Sequence, residues 1–376
     1  MPPSGSNIHL KGKVSVSLLH AYCAAALKSA GFSDQDARVA ADVMVMTDTW
    51  GIHTHGTKQL RPLLQLCPRY IDPRARPQIV AQGPAWGIMD GHNALAMVSS
   101  HEAMTLAIGK ARSAGIAYVG LRNGNHFGAA AYYADMAREA GMIGLAMCNT
   151  SPLMTVPGSK AAVLGTNPIA YAVPAGTEPS LLFDIATSVV AGSKVIQAKK
   201  RGEKIPETWL VDADGVPTTD PSGFPEVGAL IPMAAHKGYG IALLVEILGA
   251  VLPGAAMMSQ VGVWIQPDPG VINQGHSFIA INARAMMPDG QFNVRMDHVI
   301  REIKNAPKAK GASRIYLPGE MEWEKRGIAL REGIDLPDEV RSSLEGLARD
   351  WKLDLDDYFP IPHSPETSKP QARDET

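Results

Sequence analysis

Cysteine is scarce in this sequence, and neither sign of charge is in excess. Only Cys23, Cys67 and Cys148 occur among 376 residues. They are too few and too scattered for a disulfide framework or a cysteine-rich zinc site, which favours a reducing compartment. Lys and Arg number 35 and Asp and Glu 37, giving a net charge of -2 and a pI of about 6.6. This balance argues against a dedicated nucleic-acid-binding protein, which carries a basic excess.

Signals for secretion and membrane insertion are missing too. Residues 1–7 lack the basic and then apolar layout of a secretion signal. The longest apolar window, residues 238–258, is interrupted by Glu246 and Pro253, so it predicts a core helix over residues 237–252 and not a membrane span. We therefore expect a soluble, cytoplasmic protein with no membrane or nucleic-acid partner.

Helix and strand patterns are mixed along the chain, whose length is typical of about two domains. Residues 67–84 are rich in proline and are predicted to be a loop. The mixture favours an α/β or α+β fold. The predicted helices cover residues 16–30, 33–49, 99–114, 129–140, 189–200, 237–252, 297–304, 321–331 and 338–351, and the predicted strands cover residues 116–121, 142–148, 181–184 and 276–282.

No complete dinucleotide-binding fingerprint is present. The nearest match, residues 238–243, lacks the third glycine and follows no predicted strand, so a conventional Rossmann site is unsupported. The phosphate-binding loop of nucleotide hydrolases and the nucleophile elbow of α/β-hydrolases are absent as well.

Two histidine-containing segments are candidates for chemistry. Residues 51–56 contain His53, Thr54 and His55 directly after a predicted helix. Histidine exchanges a proton near neutral pH, and the threonine hydroxyl could orient an imidazole or a substrate. The alternatives are a solvated turn and a His-x-His zinc site, for which no third ligand follows at an obvious spacing.

The second segment, residues 122–130, contains His126 at a predicted strand-to-helix junction. The backbone N–H groups of Gly128, Ala129 and Ala130 would be free at the helix start and would suit a phosphate. The alternative is a tight turn in which His126 caps the helix.

Weaker candidates follow further along the chain. Thr150 comes after a predicted strand, and Thr166 lies in a polar turn. Asp184 would hold a ribose hydroxyl or cap a helix. Lys237 opens an apolar helix, where it would meet an anion or remain in solvent. The basic cluster at residues 199–201 would bind a 2′-phosphate or form a solvated helix end.

In order, these segments resemble the malate/L-lactate dehydrogenase family of the second type, which also includes ureidoglycolate, sulfolactate and diketogulonate enzymes and a cyclic imino acid reductase. The resemblance extends over residues 16–347. It implies an α/β (α+β-like) fold in which a mixed, largely antiparallel, non-Rossmann sheet binds NAD or NADP beside an N-terminal helical region, in a homodimer. The segments that carry it are residues 51–56, 123–128, 165–168, 184–188, 236–240 and 317–320.

The resemblance also implies roles for individual residues. His55, beside Thr54, would be the proton donor or acceptor, and His126 is a second candidate because some members use that histidine. The substrate would contact Thr166 and Gln59. The family usually has an arginine at the latter position, and the alternatives are that Arg61 replaces it or that the local geometry points Arg61 elsewhere. No metal is implied. The implied coenzyme contacts are His126, Phe127, Gly128, Ala129, Thr150, Asp184, Ile185, Ala186, Thr187, Ser188, His236, Lys237, Gly319 and Glu320.

The predicted function is reversible hydride transfer between a nicotinamide and a 2-hydroxy acid with a histidine general acid and base. The alternatives are a metal hydrolase that uses His53 and His55, and a non-catalytic coenzyme-binding protein, suggested by Gln59. The domain prediction gives a flexible N-terminus at residues 1–13, a discontinuous helical substrate domain at residues 14–125 and 305–360, an NAD(P)-binding domain at residues 126–304, and a disordered tail at residues 361–376.

Overall fold

The structure, a computed structural model, describes residues 10–266 and 268–359. The predicted tail at residues 361–376 and most of the predicted flexible N-terminus lie outside the described residues. The helices are α1 (Val16–Ser29), α2 (Asp34–Thr49), α3 (Leu60–Gln65), α4 (Ala96–Ala114), α5 (Ala130–Glu139), α6 (Gly192–Arg201), α7 (His236–Glu246), α8 (Ala283–Met286), α9 (Gln291–Asn305), α10 (Glu320–Glu332) and α11 (Asp338–Trp351). The strands are β1 (Gln78–Gly83), β2 (Trp86–Asp90), β3 (Ile116–Gly124), β4 (Ile143–Cys148), β5 (Ile169–Val173), β6 (Leu181–Ile185), β7 (Leu210–Val211), β8 (Pro217–Thr218), β9 (Ala229–Leu230) and β10 (Gln274–Ile281).

Local signals fix several helix ends where the sequence predicts them. Ser33 precedes α2, and its hydroxyl oxygen accepts a hydrogen bond from the Asp36 N–H at 3.2 Å, which satisfies one of the free N–H groups of the first turn. Gly115 ends α4 with φ of 82°, a left-handed backbone that glycine adopts without strain.

The main sheet of the described part has seven strands in the order β1-β2-β3-β10-β4-β5-β6. Neighbouring strands are antiparallel except β2 and β3, which confirms the predicted largely antiparallel, non-Rossmann sheet. The central strand β10 is buried on both faces, since Ser277, Phe278 and Ala280 are all 0% exposed. A smaller sheet of order β8-β7-β9 packs with α6 around a second apolar cluster that includes Val195 and Phe224.

Two predicted elements need correction. Residues 78–83 form strand β1 and pair with β2, although the surrounding segment is predicted to be a loop. The prolines of this segment lie before and after the strand, so they remove no ladder hydrogen bond, and its exposed residues give no periodic burial signal. The predicted helix over residues 237–252 is α-helical only to Glu246 and continues as a π-helical turn, Ile247–Val251. The predicted domain boundaries remain predictions.

Antiparallel pairing gathers distant segments at one end of the sheet, which we call the site end. Strands β3, β4 and β6 finish there and β5 and β10 begin there, because the paired residues are Gln274 with Gly124, His276 with Cys148, and Ile169 with both Met147 and Ile185. The predicted site segments that follow β3, β4 and β6 therefore converge. No helix within the described residues is long and apolar enough to cross a membrane.

Candidate active site

The loop that carries His55 is anchored to α2 by a buried carboxylate. Asp48 Oδ2 accepts hydrogen bonds from the Thr57 N–H at 2.9 Å and the Thr57 hydroxyl at 2.6 Å. Asp48 Oδ1 lies 2.8 Å from His53 Nδ1. A Cβ at Gly56 would come within 2.3 Å of the same Oδ1, so the loop requires glycine there. His53 is therefore a structural partner of Asp48.

His55 is held by its neighbour and stacks against His126. Its Nδ1 lies 2.9 Å from the Thr54 hydroxyl oxygen. The two imidazole rings are 5.6 Å apart at their centroids, with their planes at 26°. Burial lowers the pKa of His55, because desolvation disfavours the charged ring. The geometry thus joins the two histidines that the sequence offers as alternatives.

His126 is a neutral imidazole with a defined tautomer. Its Nδ1 accepts a hydrogen bond from the Gly128 N–H at 3.3 Å, which leaves the ring proton on Nε2. Burial, and then the neighbouring His55 and His276, hold the pKa of His126 well below its usual range. The His126 ring also lies 4.5 Å from the ring of Trp264. Sequence reasoning missed Trp264, because it lies in an irregular segment with no motif around it.

The residues after His126 have two different roles, since some pack in the core and others offer backbone N–H groups to the site. Phe127 is 3% exposed and stacks on Tyr133 at 4.9 Å, so its ring belongs to the core. Gly128 has φ of 82°, and a Cβ there would lie 2.9 Å from Val43 Cγ1. Since Gly128 donates to His126, only Ala129 and Ala130 keep backbone N–H groups without an acceptor among the described residues. Two of the three amides predicted for a phosphate thus remain available.

Asp184 caps α5 from the end of β6. Its Oδ2 accepts a hydrogen bond from the Ala131 N–H at 2.8 Å. Burial raises the pKa of Asp184 to about 6, against the opposing effect of the hydrogen bond from Ala131. Asp184 therefore caps a helix, although it is α5 and not the helix that follows Asp184 in the sequence, and Oδ1 has no partner among the described residues. Ile185 and Ala186 continue from Asp184 at the site end.

A buried glutamate ties the site end to α7. Glu246 is 2% exposed, and its carboxylate accepts hydrogen bonds from Asn149 Nδ2 at 3.1 Å, Asn167 Nδ2 at 2.8 Å and the Met258 N–H at 2.8 Å. Asn167 Oδ1 in turn accepts from the Thr150 N–H at 3.0 Å. In the sequence Glu246 appears only as a break in an apolar window, so its partners could not be predicted.

The predicted hydroxyl residues are connected to one another. Thr150 Oγ1 accepts from the Thr166 N–H at 3.1 Å, and the Thr187 N–H and hydroxyl both donate to the Thr166 carbonyl at 2.8 Å. Ser188 donates its hydroxyl to the Val190 carbonyl at 2.7 Å. These bonds hold the ends of β4, β5 and β6 together.

The start of α7 lies beside this cluster. The Met233 N–H donates to the Thr187 carbonyl at 2.9 Å, three residues before His236. Ala234 and Ala235 have φ of 46° and 55°, a strained backbone for residues with a Cβ. His236 and Lys237 follow as exposed first residues of the helix.

Gly319 and Glu320 already have structural roles. A Cβ at Gly319 would lie 2.6 Å from the Leu182 Cβ on β6. The Glu320 carboxylate accepts from Lys304 Nζ at 2.6 Å and the Leu317 N–H at 2.9 Å. A contact of either residue with the coenzyme remains a prediction.

Arg61 does not replace the missing clamp beside His55. Its Nε donates to Asp350 Oδ2 on α11 at 2.8 Å, so of the two alternatives the structure shows the one in which Arg61 points elsewhere. Gln59 instead donates its side-chain amide to the Thr54 carbonyl. No group of three His, Cys, Asp or Glu side chains within the described residues could hold a metal ion.

Comparison with known proteins identifies the family of the chain. The profile described as malate/L-lactate dehydrogenase matches residues 14–345. This chain belongs to that family. It is 36% identical over 339 residues to a malate dehydrogenase of Pyrococcus abyssi, covering 88% of this chain and 92% of that protein. It is 37% identical over 334 residues to an L-sulfolactate dehydrogenase of Methanocaldococcus jannaschii, covering 89% and 95%.

Solved structures of the family share its fold. The sulfolactate dehydrogenase structure from Methanocaldococcus jannaschii superposes with a TM-score of 0.85 at 35% identity, covering 92% of this chain and 99% of that one. As a malate/L-lactate dehydrogenase family member, the chain is a dehydrogenase acting on a CH–OH group. This finding argues against the metal-hydrolase alternative.

Proposed function

We propose that this family member catalyses reversible hydride transfer between a 2-hydroxy acid and NAD or NADP. The observation that carries the proposal is the stacked His55 and His126 pair at 5.6 Å. The pair lies at the connection between β3 and α5. The first backbone N–H groups of α5, and Asp184, which caps this helix, lie at the same end of the sheet. Open helix N–H groups suit phosphate oxygens, and a carboxylate oxygen without a partner suits a ribose hydroxyl. The residues present therefore fit a dinucleotide.

The proton-transfer step is assigned to His55. When Nδ1–H donates to the Thr54 hydroxyl oxygen, the lone pair of Nε2 is free to accept the substrate hydroxyl proton. A nicotinamide held at this site would supply the redox chemistry, accepting a hydride in oxidation and donating it in reduction. The Nε2–H of His126 can donate a hydrogen bond to the substrate oxygen. The overall reaction converts hydroxy acid and oxidised coenzyme into oxo acid, reduced coenzyme and a proton.

The basic cluster at residues 199–201 is partly neutralised. Lys199 pairs with Glu226 at 3.2 Å and Arg201 with Glu203 at 2.8 Å, which leaves Lys200 as the cation available for a 2′-phosphate. NAD and NADP therefore both remain candidate coenzymes, and activity assays with each coenzyme decide between them. The free cysteines of the described residues support a reducing, cytoplasmic location.

A second copy of the chain is the proposed partner of an exposed apolar face. Leu244, Ile247, Val251 and Leu252 are 44–55% exposed and follow a helical spacing across α7 and the π-helical turn. A contiguous apolar face of this kind is typical of an interface. We expect light scattering of the purified chain to give twice the monomer mass, and a monomer mass at micromolar concentration would contradict the proposed homodimer.

The rate of oxidation should depend on the protonation of His55. Because burial lowers the pKa of His55 below the 6.5 of a free histidine, the neutral base is already present at pH 7. We expect kcat/KM for hydroxy-acid oxidation to be constant at neutral pH and to fall only below pH 6.5. For oxo-acid reduction, which needs the protonated ring, kcat/KM should fall as pH rises through the same pKa. A decrease of kcat/KM for oxidation that begins above pH 6.5 as the pH is lowered would contradict the assignment of His55 as the base.

The proposed function is tested with the purified chain. A panel of 2-hydroxy acids is supplied with NAD+ or NADP+, and 2-oxo acids and cyclic imines with NADH or NADPH, while coenzyme absorbance is followed. Turnover of a hydroxy acid or an oxo acid supports the proposal. Coenzyme binding without turnover of any compound would favour the non-catalytic alternative.

A further inference from the structure

A cleft of about 350 Å³ lies between α10 and the loop that follows α2. Neither His55 nor His126 lines it, so it is separate from the stacked histidine pair. Its volume falls in the range of small-molecule sites, roughly 300–1,000 Å³. We call it the α10 cleft, and the residues that line it include Gly51, His53, Lys325, Ile328, Ala329 and Ile334.

The α10 cleft contains a cation without a partner. Lys325 extends across Gly51, since a Cβ at Gly51 would lie 2.8 Å from Lys325 Cδ and 3.2 Å from its Nζ. Lys325 Nζ has no hydrogen bond or ion pair with any residue that the structure describes. Lys13, which also lines the cleft, is instead paired with Glu332. One ammonium group is therefore held over the loop and is free to bind an anion.

The wall next to Lys325 is apolar. Ile328 and Ala329 follow Lys325 by three and four residues and so share its face of α10. Ala329 and Ile334 are 6% and 3% exposed, and Ile328 is 45% exposed. A carboxylate with a short apolar chain suits this arrangement, because its charge pairs with the ammonium group while its chain leaves water.

The other wall of the cleft belongs to the loop that presents His55. His53 lines the cleft, and its Nδ1 lies 2.8 Å from Asp48 Oδ1. The second oxygen of Asp48 accepts hydrogen bonds from the Thr57 N–H and hydroxyl. Within the same loop, the His55 N–H donates to the Ile52 carbonyl at 3.1 Å. A ligand in contact with His53 is thus connected through one carboxylate to the backbone on both sides of His55.

We propose that the α10 cleft is a second binding site, which takes a small carboxylate with a short apolar chain at Lys325, and that its occupation stabilises the loop of residues 51–57. The cleft exists only while this loop lies against α10, so a ligand bound there favours that conformation over a loosened one. The site is independent of the proposed hydride transfer, and either can fail without the other.

Calorimetric titration of the purified chain with 3-methylbutanoate tests the site. We expect saturable binding with a Kd of about 1 mM, which a ligand of this size can reach. The neutral 3-methylbutanamide and inorganic phosphate should each bind at least about tenfold more weakly, because the first lacks the charge and the second lacks the apolar chain. No saturation at about 20 mM 3-methylbutanoate, or equal affinity for phosphate, overturns the proposed ligand class.

Variants of Lys325 locate the binding. Lys325→Gln should weaken binding of 3-methylbutanoate at least about tenfold, whereas Lys325→Arg keeps the charge and should stay within about threefold of the wild-type Kd. Lys308→Gln changes an exposed lysine in the loop after α9 and should leave the Kd unchanged. Undiminished binding in Lys325→Gln would place the carboxylate elsewhere, at the histidine pair for example, and overturns the site.

Hydrogen exchange measures the connection to the His55 loop. At a ligand concentration of ten times Kd, exchange of the Thr57 amide, which is bonded to Asp48, should slow about tenfold, because opening of the loop requires release of the ligand. In His53→Ala the ligand should still bind at Lys325 without slowing this exchange. Unchanged exchange in the wild-type chain, or equal slowing in His53→Ala, overturns the connection.

Discussion

Replacing His55 by alanine should lower kcat about 10²–10⁴-fold, the usual contribution of a positioned general acid or base. His55 meets the geometric requirements for this role, because Thr54 fixes its Nδ1 at 2.9 Å and leaves Nε2 for the substrate. Burial lowers the pKa of His55, so the ring is a neutral base at pH 7. Alanine removes the proton acceptor and leaves the amides of α5 and the Asp184 cap unchanged.

The measurement is steady-state turnover together with a fluorescence titration with reduced coenzyme. We expect the His55→Ala variant to bind coenzyme with nearly wild-type affinity. His126→Ala is the comparison variant: its Nδ1 is occupied by the Gly128 N–H and its Nε2–H can only donate, so this variant should lower turnover less than His55→Ala does. Normal turnover in His55→Ala, with activity lost only in His126→Ala, would transfer the proton-transfer role to His126.

Replacing Glu246 by alanine should lower the free energy of unfolding by about 3–5 kcal/mol, from buried donors left unsatisfied and from the cavity. The carboxylate accepts three hydrogen bonds, from Asn149, Asn167 and Met258. Without it, one N–H of each buried asparagine amide loses its acceptor, while the amides still donate to the Ala256 and Ala242 carbonyls; each N–H left unsatisfied costs about 1–3 kcal/mol. The cavity left by the side chain adds to this loss.

Urea unfolding followed by circular dichroism measures the effect. Glu246→Gln should lower the free energy of unfolding by less than the alanine variant does, because the remaining carbonyl oxygen still accepts hydrogen bonds. It should still be destabilising, because the new side-chain NH2 group faces a donor. Glu302→Gln is the control at a site where the side chain is 77% exposed, and its unfolding free energy should change by at most about 0.5 kcal/mol. A loss below 1 kcal/mol in Glu246→Ala would show that the network contributes little to stability.

Local patterns in the sequence predicted most of the elements that hold the site. The periodic apolar residues of α11 and the glycine after α4 mark these elements without tertiary information, since both signals act within a few residues. Strand β1 could not be predicted, because its residues are almost all exposed and prolines flank it. Trp264 escaped because its contact with His126 joins residues far apart in sequence.

The sequence by itself determined which chemical groups the site contains: His55 before β1, His126 after β3, and the neutral Gln59. It also showed that no Rossmann fingerprint is present. Tertiary structure alone decided which groups meet. Antiparallel pairing around β10 brings the ends of β3, β4 and β6 to one end of the sheet, Asp350 draws Arg61 away from His55, and Glu246 acquires its partners. The reason is physical: propensity and turn chemistry act over a few residues, whereas a hydrogen bond between distant segments depends on the register of the strands that carry them.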